Sequence, residues 1–254
     1  GAAVRIVHQS AHALATLDAA GIGTLQLGDA GRLNIIGSAA IGELREALQA
    51  LAALPELRVL VLRGSGDRAF IGGADIGEMA TLTPATAEAF ITRLAGLCDA
   101  VAEIPVPVIA RIPGWCLGGG LELALGCHFR VAVAGAQIAL PEVKLGILPG
   151  AGGTQRLPRL LGPEAALNMI VSGTIVPSEQ LKGTPLFDEF IDGDLQAGAL
   201  AFAEKVVKEK RPLKRVRDLK IDYPNADAFF QFARNTVGAI ARNASKCSRA
   251  SAFS

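Results

Sequence analysis

Short runs made almost wholly of apolar residues recur along the chain and strongly limit the folds that it can adopt. The clearest lies inside residues 58–63, and similar runs occur at 106–112 and 129–133. A strand that is apolar at nearly every position needs cover on both faces, as in a parallel sheet packed between helices. Segments with helical spacing of apolar residues separate these runs. The alternation predicts an α/β fold with right-handed crossovers.

The remaining segments can be placed around these runs. Two strands are predicted at 12–17 and 21–27, joined by a hairpin-like turn. Ser38 is predicted to cap a helix whose apolar residues recur three and four positions apart before Pro55 ends it. Thr83 and Pro84 open a long helix with a buried apolar stripe. Further helices are predicted from Gly119 and at 152–161, 164–172, 195–208 and 225–243.

Composition excludes several classes of protein. The 254 residues, half of them hydrophobic, suit one large α/β domain or a core with a helical appendage. Because 25 basic residues balance 24 acidic ones, no global field favours nucleic acid or an anionic membrane. Four scattered cysteines predict a reducing compartment, and three histidines show no zinc-site spacing. Nothing in the sequence is typical of a signal peptide or a membrane span.

Two glycine-rich segments each set a glutamate beside exposed backbone. Glu122 follows three consecutive glycines in 116–128, and Glu142 opens the glycine-rich run 140–155. Backbone N–H groups at the start of a helix attract negative charge, so such a segment can hold an oxyanion while carboxylates move protons. A third glycine-bearing segment, 70–76, follows a predicted strand, and ligands of α/β proteins gather at strand ends. Together the three segments predict an active site.

Simpler interpretations apply to other residues in and around these segments. Asp75 is expected to fix its loop as a hydrogen-bond acceptor, His128 to be structural, and Trp115 to pack around the pocket. Cys116 has no histidine placed by motif to activate it as a nucleophile. Residues 150–154 match a dinucleotide-binding motif poorly, which argues against NAD. The basic stretch 208–220 is interpreted as a solvated face, with contact to an anionic ligand or partner as the alternative.

The three segments occur in an order and spacing that resemble the crotonase, or enoyl-CoA hydratase/isomerase, superfamily. The motifs are Gly-Ala-Asp at 73–75, Gly-Gly-Gly-x-Glu at 118–122, and the Pro-Glu to Pro-Gly-x-Gly-Gly run at 141–153. Residues 120–128 are most similar to the hydratase half of peroxisomal-type bifunctional enzymes. The resemblance covers about 25–190. It implies a crotonase-like spiral of ββα units at 1–190, and a C-terminal helical region at 191–254 that serves oligomerisation or closes the pocket.

The resemblance implies an enoyl-CoA hydratase, which adds water to a trans-2-enoyl-CoA to give a 3-hydroxyacyl-CoA. Ala74 and Gly119 match the residues whose N–H groups form the oxyanion hole. Glu122 and Glu142 match the two catalytic glutamates; we assign the water chiefly to Glu122 and protonation of C2 chiefly to Glu142. The residues implied to bind substrate and coenzyme A are Arg32, Gly72, Ala74, Asp75, Ile76, Gly77, Gly119 and Gly150. Gly77 departs from relatives, which often carry lysine there.

The resemblance further implies an acyl-CoA substrate, no other cofactor and no metal. It also implies a homotrimer or dimer of trimers without nucleic acid, in a bacterial cytoplasm or an organelle matrix. One alternative is a Δ3,Δ2-enoyl-CoA isomerase, although that reaction needs only one carboxylate. A second is a non-catalytic relative that binds acyl-CoA or RNA. The helix after Ser38 carries no lysine, which argues against RNA there.

Overall fold

The computed structural model describes residues 3–145 and 150–221, together with seven isolated positions between 227 and 239. The strands in this part of the chain are β1 Val4–Gln9, β2 Ala13–Asp18, β3 Ile22–Leu27, β4 Val59–Gly64, β5 Ala69–Ile71, β6 Val108–Ile112, β7 Trp115–Leu117, β8 Phe129–Ala132, β9 Gln137–Ala139, β10 Val176–Pro177 and β11 Glu189–Phe190. The α-helices are α1 Ser38–Ala52, α2 Ile76–Met79, α3 Pro84–Ala102, α4 Gly119–Gly126, α5 Gly153–Leu161, α6 Pro163–Ser172 and α7 Leu195–Lys208.

The strands form two sheets, and the chain passes repeatedly from one to the other. The large sheet has the order β1-β2-β3-β4-β6-β8-β11, and it is parallel from β3 onwards. The small sheet has the order β10-β9-β7-β5, with β5, β7 and β9 parallel. Along the chain, the strands β4, β6 and β8 of the large sheet are followed directly by β5, β7 and β9 of the small sheet. This repetition confirms the predicted crotonase-like spiral of strand pairs and helices.

Both faces of the large sheet are covered, as its apolar strands require. Alternate residues of β4 and β6, among them Leu60 and Ala110, join α1, α3 and α4 in the main core. Val61 and Ile109 face the other way and pack with Phe202 and other apolar residues of α7. The helix 195–208 predicted from the sequence is therefore the second cover of the sheet.

Three sequence-based boundaries were wrong. Strand β1 was not predicted because its residues are largely exposed, with Val4 60% and Ile6 61% accessible at the sheet edge. Ser38 is the first residue of α1 instead of its cap, and its backbone N–H is bound by the Glu78 carboxylate. Helix α5 begins at Gly153, with Gly152 as its cap, one residue after the predicted start at 152. The predicted helix 225–243 lies outside the continuously described residues.

Candidate active site

The two predicted oxyanion-hole residues lie at the ends of adjacent parallel strands. Ile71 of β5 is paired with Cys116 of β7, and Ala74 and Gly119 each follow three residues later. Ala74 is held there by a parallel bridge to Ile36. That bridge uses the carbonyl of Gly73 and the N–H of Asp75, and no bond among the described residues occupies the N–H of Ala74. Two N–H donors can therefore act together at this edge.

Gly118 gives the chain the turn that brings Gly119 to the start of α4. Its φ is +54° and its ψ is −123°, a conformation that residues with a side chain rarely adopt. Its N–H donates to the carbonyl of Ala139 in β9 at 2.9 Å. A Cβ atom on Gly118 would lie 2.8 Å from Oε1 of Glu142. The glycine is thus required both by its backbone and by the nearby carboxylate.

Glu122 lies in the first turn of α4, and its side chain is almost completely buried. Its Oε2 accepts hydrogen bonds from the N–H groups of Ala151 at 2.6 Å and Gly153 at 2.9 Å. Burial raises the pKa of Glu122 to about 6, opposed by these two N–H groups and by the charge of Arg156. The carboxylate is therefore fixed through one oxygen and still largely ionised at neutral pH.

Glu142 enters the same region from β9, which lies on the other side of β7. Cys116 is paired with Ile138, and Glu142 stands four residues further, in a 3-10 helix at Pro141–Leu145. Its Oε2 is buried without a hydrogen-bond partner among the described residues. Burial and the negative charge of Glu122 raise the pKa of Glu142 to about 7. The two glutamates therefore converge, and they differ in proton affinity.

The segment predicted to bind coenzyme A forms a loop and a short helix after β5. Asp75 caps α2 by accepting the N–H of Glu78, which agrees with the expected loop-fixing role. Arg32 lies 3.6 Å from the Asp75 carboxylate and is mostly exposed. Ile76 is 64% exposed, an unusual setting for a large apolar side chain. Gly77 is also exposed, whereas Gly72 is partly buried and donates its N–H to the carbonyl of Leu33 at 2.8 Å.

Gly150 is placed differently from the other predicted binding residues. It is exposed and lies next to Ile91, three residues before the first residue of α5. The N–H groups at the start of that helix are directed at Glu122. This helix end, which the resemblance implies to be directed at the thioester oxygen, thus also contacts Glu122, one of the two predicted catalytic glutamates.

The residues given simpler interpretations are structural. His128 is buried; its Nδ1 accepts the N–H of Val108 at 2.9 Å, and its Nε2 lies 3.0 Å from the carbonyl of Ala102. Cys116 is buried in the core, and burial raises the pKa of its thiol far above the usual range, so it carries no thiolate. Trp115 lies in β7 and is partly buried.

The basic stretch is only partly a solvated face. Lys214 pairs with Asp188 at 2.6 Å, and Arg217 pairs with Glu103 and lies 3.6 Å from Asp99. Arg215 donates to the carbonyl of Ala102. These contacts attach the segment after α7 to the core. In the described part of the chain, no group of three or more metal-binding side chains occurs, and no helix is long and apolar enough to cross a membrane.

Sequence reasoning missed the partners of Glu122. The donors are backbone N–H groups, and any residue type except proline can supply them. Arg156, which lies beside the same turn, is 5% exposed. A signal for it did exist, because Arg156 stands between residues of the apolar face of α5 and a lone charge in such a place needs a partner.

The fold is a spiral of strand pairs and helices, and it brings the buried carboxyl group of Glu122 and the partly buried one of Glu142 into one region. A family model described as enoyl-CoA hydratase/isomerase matches residues 18–224. The chain therefore belongs to the enoyl-CoA hydratase/isomerase, or crotonase, family.

Individual relatives agree with this assignment. The chain is 37% identical over 224 residues to the peroxisomal bifunctional enzyme of Pongo abelii, covering 86% of this chain but 30% of that protein. It is 37% identical over 194 residues to the mitochondrial enoyl-CoA hydratase domain-containing protein 2 of Mus musculus, covering 74% of this chain and 66% of that one. The crystal structure of an enoyl-CoA hydratase from Bacillus anthracis superposes with a TM-score of 0.71 at 32% identity, covering 80% and 76% of the two chains.

Proposed function

We propose that the protein is an enoyl-CoA hydratase that adds water across the double bond of a trans-2-enoyl-CoA. The observation that carries the proposal is the unequal environment of two converging glutamates. Glu122 is held by two N–H donors and has a pKa of about 6, whereas Glu142 has a buried oxygen with no partner in the described part of the chain and a pKa of about 7. Two carboxyl groups with separated proton affinities suit one base and one acid.

In the proposed reaction, the N–H groups of Ala74 and Gly119 bind the thioester carbonyl oxygen. They stabilise the negative charge that develops there, a contribution worth about 3 kcal/mol for each donor in comparable sites. Ionised Glu122 takes a proton from water while the water oxygen bonds to C3. Protonated Glu142 supplies a proton to C2. The product is a 3-hydroxyacyl-CoA. Glu122 is left protonated and Glu142 is left ionised.

The proposal also covers the substrate carrier, the cellular compartment and the assembly of the protein. A coenzyme A thioester would be the only carrier required, with Arg32 and the segment 72–77 at its binding surface. Buried free thiols at Cys98, Cys116 and Cys127 support a reducing compartment, either an organelle matrix or a bacterial cytoplasm. A homotrimer or a dimer of trimers remains the proposed assembly.

The first test follows loss of the conjugated enoyl-thioester absorbance with crotonyl-CoA. Wild type should consume it in a water-dependent reaction, and Glu122→Gln and Glu142→Gln should each lower kcat by about 100-fold or more, since each removes a positioned proton-transfer group. Glu46→Gln, an exposed glutamate of α1, is the matched control and should retain full activity.

The same assay can reject the proposal. A wild-type protein that does not consume 2-enoyl-CoAs of short, medium or long chain is not a hydratase. Conversion of a 3-enoyl-CoA that survives one of the two glutamine substitutions would identify an isomerase, because that reaction needs one carboxylate to carry a proton between C2 and C4.

A further inference from the structure

The turn at 151–153 is the structure that holds Glu122. Both of its N–H donors reach the same carboxylate oxygen, Oε2, and leave Oε1 without a protein partner among the described residues. The direction of Oε1 therefore depends on where the turn lies. Whatever fixes the turn also fixes the oxygen that is free to meet water.

Arg156 fixes this turn from the side opposite to Glu122. Its Nη1 donates to the carbonyl of Ala151 at 3.3 Å, so the same residue binds Glu122 through its N–H and Arg156 through its oxygen. The guanidinium also lies against Gly152, whose φ is +102°; a Cβ there would stand 2.6 Å from Nη1. The Arg156 side chain is only 6% exposed. A planar guanidinium can make such contacts in two directions at once.

The other side of the Arg156 guanidinium contacts Asp99 on α3. Nη2 of Arg156 donates to Oδ1 of Asp99 at 2.8 Å, and Asp99 is 58% exposed. Arg217, in the segment after α7, lies 3.6 Å from the same oxygen and also pairs with Glu103. Asp99 thus joins the buried guanidinium to the surface and to the basic segment.

We propose that Arg156 is a positioning residue for catalysis: oriented by Asp99, it holds the turn 151–153 and so sets the direction of the Glu122 carboxylate. The inference rests on the proposed function, because it presupposes that Glu122 handles the water. Arg156 is not a catalytic residue in this account, since it contacts neither the substrate nor the reacting atoms.

The charge of Arg156 has a second effect on Glu122. The ionisable groups near that carboxylate are Arg156 on α5, Glu142 on its 3-10 helix and the neutral thiol of Cys98 on α3. Arg156 is the cation among them, and it lowers the pKa of Glu122 against the effect of burial. Removing this charge should raise that pKa and move the acid limb of the activity profile to higher pH.

The test compares Arg156→Gln, Arg156→Lys and Asp99→Asn in the full chain, with crotonyl-CoA turnover followed across pH. Arg156→Gln should lower kcat by about 100-fold through displacement of the turn, with KM changed much less and the acid limb shifted upwards. Arg156→Lys keeps the charge but not the fork, so it should restore the position of the limb and only part of kcat. Asp99→Asn should give an intermediate loss of kcat.

Arg159→Gln is the matched control. Arg159 lies on the same helix, and within the described part of the chain its side chain donates only to the carbonyls of Gln155 and Leu219, so its loss should leave both kcat and the pH profile unchanged. A folded Arg156→Gln variant with wild-type kcat and an unshifted acid limb would overturn the proposal. If that variant does not fold, wild-type behaviour of both Arg156→Lys and Asp99→Asn overturns it instead.

Failure of the proposed function can be recognised separately. Absence of turnover in the wild type would reject the hydratase assignment but leave the proton affinity of Glu122 measurable. Titration of carboxyl-labelled glutamate by carbon NMR, with Glu122→Gln to assign the signal, should then show a higher pKa of Glu122 in Arg156→Gln than in wild type. An unchanged Glu122 titration would overturn the role of Arg156.

Discussion

Glu122 and Glu142 are the same amino acid in two different electrostatic settings. Burial raises the pKa of both, but two N–H donors and the charge of Arg156 hold the value for Glu122 lower. Oε2 of Glu142 has no such donor among the residues that the structure describes, and the negative charge of Glu122 raises the pKa of Glu142 further. The proposed division into base and acid therefore rests on the surroundings of each carboxyl group and not on its residue type.

The raised pKa of Glu142 predicts a cost in stability at neutral and alkaline pH. The folded protein binds this proton more tightly than the unfolded chain, whose ordinary value is near 4.5, so stability is lost as pH rises through about 7. Glu142→Gln carries no charge at any pH. Its free energy of unfolding should equal that of wild type near pH 4 and exceed it by about 2–3 kcal/mol above pH 7.

Denaturant unfolding at several pH values measures this difference. Glu46→Gln serves again as the control, because an exposed carboxylate should show no such pH-dependent gain. A constant difference between Glu142→Gln and wild type from pH 4 to pH 8 would mean that Glu142 ionises normally in the folded protein.

At this scale the sequence identified the two glutamates but not what surrounds them. Their motifs carry a resemblance that names Glu122 and Glu142 directly. The N–H groups of Ala151 and Gly153 have no residue-type signature, and the unpaired Oε2 of Glu142 depends on packing between distant segments. The structural roles of His128 and Asp75 were predictable because a single polar side chain beside apolar strands or at a helix start has few other uses.

Among the structural elements, the turn before α4 has the strictest requirement. Gly118→Ala should strain a backbone at φ +54° and displace Glu142, whose Oε1 would lie 2.8 Å from the new Cβ. We expect kcat to fall by about 100-fold as the carboxylate moves. The free energy of unfolding should fall by about 1–3 kcal/mol from the strained backbone.

Gly135→Ala separates these two effects. Gly135 has a φ of +82°, and a Cβ there would meet no atom within 4 Å. Its substitution should cost stability through the backbone alone and leave turnover with crotonyl-CoA unchanged. Equal kcat in the two alanine variants would show that Gly118 matters only for backbone conformation.

Element boundaries were harder to predict than element types. Ser38 suits a cap, yet it is the first residue of α1, and its own N–H donates to Glu78, which stands 40 residues later in the chain. Strand β1 lacks the buried alternation that marks β2 and β3, because it lies at the edge of the sheet. Both errors arose because the partner that decides the local structure is remote in sequence.

For the whole molecule, the segment after α7 is held to the sheet through Asp188. This carboxylate accepts the backbone N–H of Arg130 at 2.9 Å and the Lys214 ammonium at 2.6 Å, and it lies 3.9 Å from the fully buried Arg130 guanidinium. Removal of one partner of a buried ion pair leaves the other charge uncompensated. Asp188→Ala should therefore lower the free energy of unfolding by about 3–5 kcal/mol.

Chemical denaturation of Asp188→Ala beside Asp192→Ala measures this contribution. Asp192 is an exposed neighbour in the chain, and its loss should change stability by less than about 0.5 kcal/mol. Similar stabilities for the two variants would show that Arg130 is satisfied by its carbonyl contacts to Leu186, Ala124 and Cys127 alone.

At the largest scale, the α/β class followed directly from the apolar strands, but the second sheet did not. Strands β5, β7 and β9 are three residues long and stand beside glycines, so their sequences are also compatible with loops. Their pairing becomes clear only when the spiral brings segments about 20 to 45 residues apart into register.

That small sheet has a consequence for how such proteins diversify. Ala74, Gly119 and Glu142 each follow a different strand of it, two or three residues after the strand's last residue. Each residue therefore follows its own strand, and the side chain of Glu142 also lies beside Gly118, the residue before Gly119. Because the proposed oxyanion donors are backbone N–H groups of Ala74 and Gly119, another side chain at position 142 would leave both donors present. A substitution after one strand of the small sheet could therefore change the proposed reaction without altering the residues that follow the other two strands.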